Sequence, residues 1–360
     1  MEGRNFDKLN EKELISVGDT YFEKKDSASL REAESYYKAA LDRGYAKAIY
    51  CLGKVYDETN RINDAIVLYK RAILSGVDIG LAKFKLALIY IEKMDSSLYM
   101  EIIKLLHEAY DEGCIKAARY LGVVYFKGWA GIIDINKTVF WLEKAAQNGD
   151  IISMKSLGVI YSKGKDEVGI DIDSAIKWYG KAFSLGEGKG LSFLKEHSKD
   201  SVAQFYLSSG YDYIKDYKEA LKWLFESAKQ GFTEAQYKLG TLYRAGYFEL
   251  QKDDREAFKW FQKAARQGYA KGITFIGYFY YNGLGGLIKD EETALSWYRK
   301  AAEQGEVVSQ FSIGYFYEYG LCGLEKDYKE ALKWYKLSAK QGYDSAKNKV
   351  KYFEDNNLGV

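Results

Sequence analysis

The sequence predicts an all-α solenoid of about nine helix-turn-helix repeats. Three observations carry that prediction: glycines recur at a spacing near 37 residues, tryptophans fall at one fixed offset before them, and proline is absent from all 360 residues. Average usage would place about 18 prolines in such a chain, at roughly 5%, so glycine is left to stop the helices. A fixed period of this length means stacked supersecondary units rather than separate globular domains.

The aligned glycines are Gly44, Gly76, Gly113, Gly149, Gly186, Gly231, Gly268, Gly305 and Gly342, separated by 32, 37, 36, 37, 45, 37, 37 and 37 residues. A helix of about 15 residues, helix B of each unit, leads up to each one. Eight residues before the glycine stand Tyr36, Leu68, Leu105, Trp141, Trp178, Trp223, Trp260, Trp297 and Trp334, so six of the seven tryptophans share one repeat position. Four residues before it is a small residue, Ala40 in the first unit and Ser338 in the last. The offset of four sets large beside small on one helical face. Asp134, Asp171, Asp216, Asp253, Asp290 and Asp327 stand fifteen residues before the last six glycines, where a carboxylate can accept the first free backbone N–H groups of helix B.

After each glycine comes helix A, about 14 residues long, marked by the block Leu239-Gly240-Thr241-Leu242-Tyr243 and its equivalents. A mid-helix glycine costs about 1 kcal/mol against alanine, so its recurrence at 53, 122, 158, 240, 277 and 314 argues that two helices approach closely there. Helices A and B then form an antiparallel hairpin. In the later units the loop between them is glycine-rich, as in Tyr281 to Leu287 and Tyr319 to Leu324, and needs positive backbone angles.

The pattern assigns residues 1–342 to repeats and 343–360 to a C-terminal capping helix and tail, with Ala346, Val350 and Phe353 on its apolar face. The first three units lack the tryptophan and the aspartate cap. The interval between Gly186 and Gly231 carries eight extra residues over the usual 37. An irregular insertion is therefore expected near 187–213, as a distorted hairpin with an extra short helix, read either as a tolerated insertion or as a peptide-binding elbow.

The strings AQYKLGTLYRAG (235–246), DDREAFKWFQKAARQG (253–268) and DYKEALKWYKLSAKQG (327–342) resemble the Sel-one-like repeat, a longer-looped relative of the tetratricopeptide repeat. The resemblance spans roughly residues 30 to 346. The first three units look closer to a shorter-looped, tetratricopeptide-like variant. The resemblance implies a right-handed α/α superhelical solenoid that holds a protein or peptide partner in its concave groove.

Composition narrows the chemistry. Lys and Arg total 53 against 51 acids, a net charge of +2, so neither nucleic acid nor an anionic membrane is an expected partner. Three widely spaced cysteines, Cys51, Cys114 and Cys322, fit a reducing compartment and small buried roles. No apolar segment is long enough for membrane insertion, and the expectation is a cytoplasmic protein. The two histidines, His107 and His197, have no metal-ligand spacing and fall in no recognisable nucleophile motif. His107 is expected on helix B of the third unit and His197 in solvent. The run Gly186-Glu187-Gly188-Lys189-Gly190 lacks the strand and the Lys-Ser/Thr closure of a phosphate loop. No cofactor, metal or catalytic residue is assigned, and the expectation is a non-enzymatic protein.

Partner-binding candidates come from the outward positions of helix A, 3, 6, 10 and 13 residues after each glycine: Tyr50, Lys54, Arg119, Tyr237, Arg244, Tyr278, Tyr281, Phe311 and Tyr315. Aromatic and Arg side chains are favoured where proteins meet, although aromatics at helical spacing also pack neighbouring repeats. Tyr278, Tyr281, Phe311 and Tyr315 crowd two adjacent units and are the favoured cluster. The leading function is an interaction scaffold or adaptor. Two alternatives stand beside it, an immunity protein that occludes a cognate toxin and an envelope-related hydrolase using groove carboxylates.

Overall fold

The computed structural model describes residues 6–129, 131 and 133–359; Ala130, in the loop around Trp129, and the first five residues assigned to the repeats lie outside the described residues. The chain is all-α. Apart from an isolated bridge between Lys165 and Val168, no strand occurs among the described residues. The helices form two compact units, Met1–Ala175 and Ile176–Val360, taken in turn.

In the first unit α1 (Glu11–Phe22) pairs with α2 (Ser27–Asp42), α3 (Lys47–Glu58) with α4 (Ile62–Leu74), α5 (Ile79–Lys93) with α6 (Tyr99–Asp111), and α7 (Ala117–Lys127) with α8 (Ile135–Gln147), followed by α9 (Ile151–Lys163). The second unit opens on α10 (Ile172–Phe183), whose first turn precedes the boundary, and the short α11 (Leu191–Glu196). Then α12 (Ser201–Tyr213) pairs with α13 (Tyr217–Lys229), α14 (Thr233–Ala245) with α15 (Asp254–Arg266), α16 (Ala270–Asn282) with α17 (Glu291–Glu303), and α18 (Val307–Tyr319) with α19 (Tyr328–Lys340). Last comes α20 (Asp344–Asp355).

The starts and stops follow the sequence pattern. Asp134 accepts from the Lys137 N–H at 2.8 Å, Asp171 from Ser174 at 3.0 Å and Asp290 from Thr293 at 2.9 Å, which satisfies donors that the first helical turn leaves open. The backbone N–H of Asp290 also donates to the Tyr280 carbonyl at 2.9 Å, as that of Asp327 does to Tyr317. Each loop is thereby folded back onto the helix it leaves. At the other end Gly268 and Gly305 stand at φ +83° and +85°, a left-handed turn that side-chain-bearing residues rarely adopt. α2 is aspartate-capped as well, by Asp26, three positions earlier than the pattern because the helix runs 16 residues.

The large-beside-small pairing is shifted by one residue from the sequence expectation. The tryptophan position varies: Trp178 and Trp260 are buried, while Trp141, Trp223, Trp297 and Trp334 are only half-buried. The residue after it is buried in every unit: Tyr37, Tyr69, Leu106, Leu142, Tyr179, Leu224, Phe261, Tyr298 and Tyr335. That side chain fills the notch left by the mid-helix glycine. A Cβ on Gly240 would lie 2.6 Å from the Phe261 ring, and one on Gly314 would lie 2.8 Å from Tyr335. The recurring glycine is thus held by close packing against an aromatic or Leu, and overpacking there costs more than the helix propensity an alanine would add.

The segment 187–213 contains a short helix followed by a regular one. A 3-10 turn, Gly188–Gly190, leads into α11, whose Leu194 is fully buried and whose Phe193 lies 5.0 Å from the Tyr179 ring. α12 is an ordinary helix A in which Ala203, Gln204 and Leu207 match Ala235, Gln236 and Leu239 of α14, and Ser208 takes the place of Gly240. The loop from α12 to α13 is short, so the extra residues lie before the hairpin and the hairpin itself is undistorted. His197 is half-buried, with its ring 4.3 Å from Phe193 and its Nδ1 2.8 Å from the Phe193 carbonyl, a correction to the solvated position expected for it. His107 lies on α6 with its Nε2 3.1 Å from the Tyr125 hydroxyl.

All three cysteines are buried and unpaired. Burial pushes the Cys51 and Cys322 thiols up to about 11, so they stay protonated at neutral pH and act as small apolar groups. Trp129 stacks on Tyr99 with ring centroids 4.7 Å apart, covering the end of the α5/α6 hairpin.

Candidate partner-binding groove

Within each unit, helix A of one hairpin runs beside helix A of the next, and two positions recur at these junctions. One lies in the last turn of the first helix and the other in the middle of the second. At the α12–α14 junction they are Asp212 and Lys238, paired at 3.0 Å. At α18–α20 they are Glu318 and Lys349, paired at 2.7 Å, and in the first unit Asp57 and Lys85 pair at 3.1 Å across α3–α5. Each ion pair bridges the crease between neighbouring helices.

The two junctions in the middle of the second unit lack this bridge. Moving along by the 37-residue period, the same positions hold Arg244 with Phe275 at α14–α16, then Tyr281 with Ser312 at α16–α18. Ser312 is too short to span the crease, and Phe275 turns inward to stack on Phe261 at 4.3 Å with nearly parallel rings. Two adjoining hollows open there, of about 540 Å³ and 300 Å³, sharing Tyr278, Tyr298 and Ser312.

Six of the nine sequence candidates line this groove. Tyr237 and Arg244 come from α14, Tyr278 and Tyr281 from α16, Phe311 and Tyr315 from α18. Arg244 lies over the Tyr278 ring, 4.6 Å from its centroid, and donates to the Tyr278 hydroxyl at 3.0 Å. Tyr281 packs 5.3 Å from Phe316, and Phe311 packs 5.3 Å from both Tyr335 and Tyr343. Tyr315, 38% exposed, stands at the rim 4.6 Å from Tyr319. Burial raises the phenol pKa of Tyr237 and Tyr281 above the ordinary value, so both remain neutral O–H groups able to donate and accept.

The remaining three candidates lie in the first unit and line neither hollow. Tyr50 is buried, 5.9 Å from the Tyr69 ring. Lys54 is 3.6 Å from Asp19 and rests over Phe22. Arg119 is paired with Asp150 at 2.9 Å beside Tyr120. A smaller apolar hollow of about 230 Å³ does open between α7 and α9, lined by Val123, Lys155 and Val159, with Phe126 and Ser156 in the two junction positions.

Residues that single-position reasoning missed include Lys271, Thr274, Tyr298, Glu306 and Ser312, all lining the larger hollow. Glu306 is the groove's carboxylate. Its Oε2 accepts from the Ser309 N–H at 2.7 Å and from the Thr274 hydroxyl at 2.9 Å, capping α18. No second carboxylate lines either hollow among the described residues, so the acid pair that a glycosidase needs is not brought together there. Among the described residues no group of three or more His, Cys, Asp or Glu side chains is arranged to hold a metal, and no helix is long and apolar enough to cross a membrane.

A Sel1 repeat family model matches residues 115–150, 151–187, 201–232, 233–269, 270–306 and 307–343, each a helix A, its loop and the following helix B. The chain is 25% identical over 216 residues to the chitin synthase regulator SKT5 of Saccharomyces cerevisiae, covering 60% of this chain and 27% of that protein. It is 33% identical over 161 residues to the DAP3-binding cell death enhancer 1 of Rattus norvegicus, covering 43% of this chain and 31% of that protein. The chain therefore spans less than a third of the length of these curated relatives. Among solved structures it resembles a protective antigen present in uropathogenic Escherichia coli strains displaying an SLR fold, with 28% identity, coverage of 99% and 84%, and a TM-score of 0.44. It also resembles a Sel1 repeat protein from Oxalobacter formigenes, with 25% identity, coverage of 92% and 93%, and a TM-score of 0.41.

Proposed function

The chain belongs to the Sel1 repeat family, whose members generally mediate protein–protein interactions, and from that premise we propose that it is a scaffold or adaptor binding a partner protein in the groove between α14, α16 and α18. The observation that carries this reading is the break in the ion-pair bridges. Where acid and lysine meet, an ion pair spans the crease between neighbouring helices. Where Arg244, Phe275, Tyr281 and Ser312 replace them, two continuous hollows expose aromatic faces beside polar edges. Tyrosine and Arg in a partly desolvated recess are the side chains that dominate binding energy at protein interfaces. A partner segment laid along the groove would also replace the ion pair as the element spanning two creases.

A photo-crosslinking amino acid in place of Tyr315, at the groove rim, tests this reading in lysate of the source cells. The same group in place of Val67, exposed on α4, serves as the off-groove comparison. The expected result is one protein joined at position 315 and absent at 67. Crosslinks of the same proteins at both positions, or at 67 alone, would overturn it.

A further inference from the structure

Arg244 is a charge without a counter-charge. Its repeat equivalents are Asp212 and Glu318, each neutralised by a lysine across the junction. Arg244 faces Phe275 instead, 5.4 Å from the ring centroid, and its one hydrogen bond goes to a neutral phenol. Among the described residues no carboxylate lies within ion-pair distance of it. Lys271, in the first turn of α16, lines the same hollow, is exposed, and has no hydrogen-bond or ion-pair partner among the described residues. The hollow's own acid, Glu306, is held at the start of α18 by the Ser309 N–H and the Thr274 hydroxyl, so the lining of two cations and one carboxylate keeps an excess positive charge.

From this charge imbalance we propose that the groove recognises an acidic peptide segment of its partner, one carboxylate seated on Arg244, a further acidic side chain reaching Lys271, and its apolar side chains laid on Tyr278, Tyr281 and Tyr315; the inference rests on the groove reading above. A guanidinium offers a planar fork of donors matched to a carboxylate. With only one donor engaged by Tyr278, the rest of the fork is free to make that pair. The half-buried position raises the strength of the interaction over a fully solvated pair. An acidic peptide fits better than a nucleic acid strand, which needs a run of cations along its phosphates; here only two cations line the hollow, in a chain of net charge +2.

The test is panning of a random-peptide phage library on the full chain, followed by titration of synthetic peptides from the enriched pool. The expected pool is rich in Asp and Glu with interspersed aromatic or aliphatic residues, and its binding weakens as salt rises. Arg244→Gln should weaken the best peptide about tenfold or more, about 1.4 kcal/mol, with an unchanged melting temperature, and Arg244→Lys should recover part of the loss. Enrichment of neutral or basic peptides that are lost when the crease is closed by Tyr281→Glu with Ser312→Lys would overturn the acidic assignment while leaving the groove reading intact. No peptide dependent on either set of residues would overturn both. Binding of oligo-uridylate that requires Arg244, with no acidic peptide enriched, would assign the groove to nucleic acid and overturn the proposal.

Discussion

Phe261→Ala lowers the stability of the second unit by about 3 to 5 kcal/mol, the range for truncating a fully buried aromatic. The ring has no exposed surface. It fills the notch at Gly240, stacks on Phe275 at 4.3 Å and lies 5.8 Å from Tyr237 and from Phe279. Removing it leaves a cavity at the Gly240 notch, where glycine has no side chain to move into the space. Urea unfolding followed by circular dichroism gives the measurement. In a stack where each hairpin touches its neighbours, the loss should unfold the hairpins around α15 first. Trp297→Ala, at the adjacent repeat position and only half-buried, should cost less. A native-like transition for Phe261→Ala would contradict the assignment of this position as the packing centre of the repeat.

Glu318→Ala costs about 3 to 5 kcal/mol, the range for breaking a buried ion pair by deleting one partner. Glu318 is buried on α18. One carboxylate oxygen accepts from the Tyr335 hydroxyl at 2.5 Å on α19, and the other from Lys349 at 2.7 Å on α20. The single side chain thus ties three helices. Deleting it leaves a buried phenol and a three-quarters-buried ammonium without their acceptor. The alanine chain should show faster amide exchange throughout α20, whose other anchors are Ala346 and Phe353 against Tyr335. Replacing both charges, by Glu318→Leu with Lys349→Met, should restore the part of the loss due to the stranded ammonium, since the pair's own net contribution is small once its desolvation is counted, while the Tyr335 hydroxyl stays without its acceptor. Equal losses for the single and the double variant would contradict the ion-pair account and point to packing alone. This arrangement also supports treating the segment from 343 as a cap on the last hairpin.

Much of the fold was legible because the repeat copies its chemistry. The aspartate caps and closing glycines need only local backbone geometry, so a fixed residue at a fixed offset reports them directly. The packing centre was missed by one residue. Tryptophan is conspicuous and invariant in six units, whereas the truly buried position alternates among Tyr, Leu and Phe, and its partner glycine lies on the other helix. The extra helix α11 was half legible. Its length showed in the 45-residue interval, but the matching of α12 to α14 was hidden by a short loop and by Ser208 standing in place of glycine.

The groove was legible as positions and not as a site. Offsets from the glycines found Tyr237, Arg244, Tyr278, Tyr281, Phe311 and Tyr315, and equally picked out Tyr50, which the structure buries, and Arg119, which is neutralised by Asp150. What separates the two groups is the pairing of one helix A with the next. A signal for it exists in the sequence. Lys238, Phe275, Ser312 and Lys349 are 37 residues apart, as are Arg244, Tyr281 and Glu318. Reading those two columns together shows lysine and acid at the ends and their absence in the middle. Side-chain direction across a helix junction decides which column faces which, and that comes from packing.

The most direct test of the central claim is to restore the missing bridge. Tyr281→Glu with Ser312→Lys would recreate at α16–α18 the pair that Glu318 and Lys349 make at α18–α20. Tyr281 and Ser312 are half-buried, and the new pair offsets only part of the lost Tyr281 packing on Phe316, so a loss of no more than about 2 kcal/mol is expected, checked by a melting curve before binding is measured. Binding of the partner captured through position 315, measured by titration calorimetry against the full chain, should then be lost. Undiminished affinity in the bridged chain would contradict the claim that partner binding occurs where the ion-pair bridges are broken.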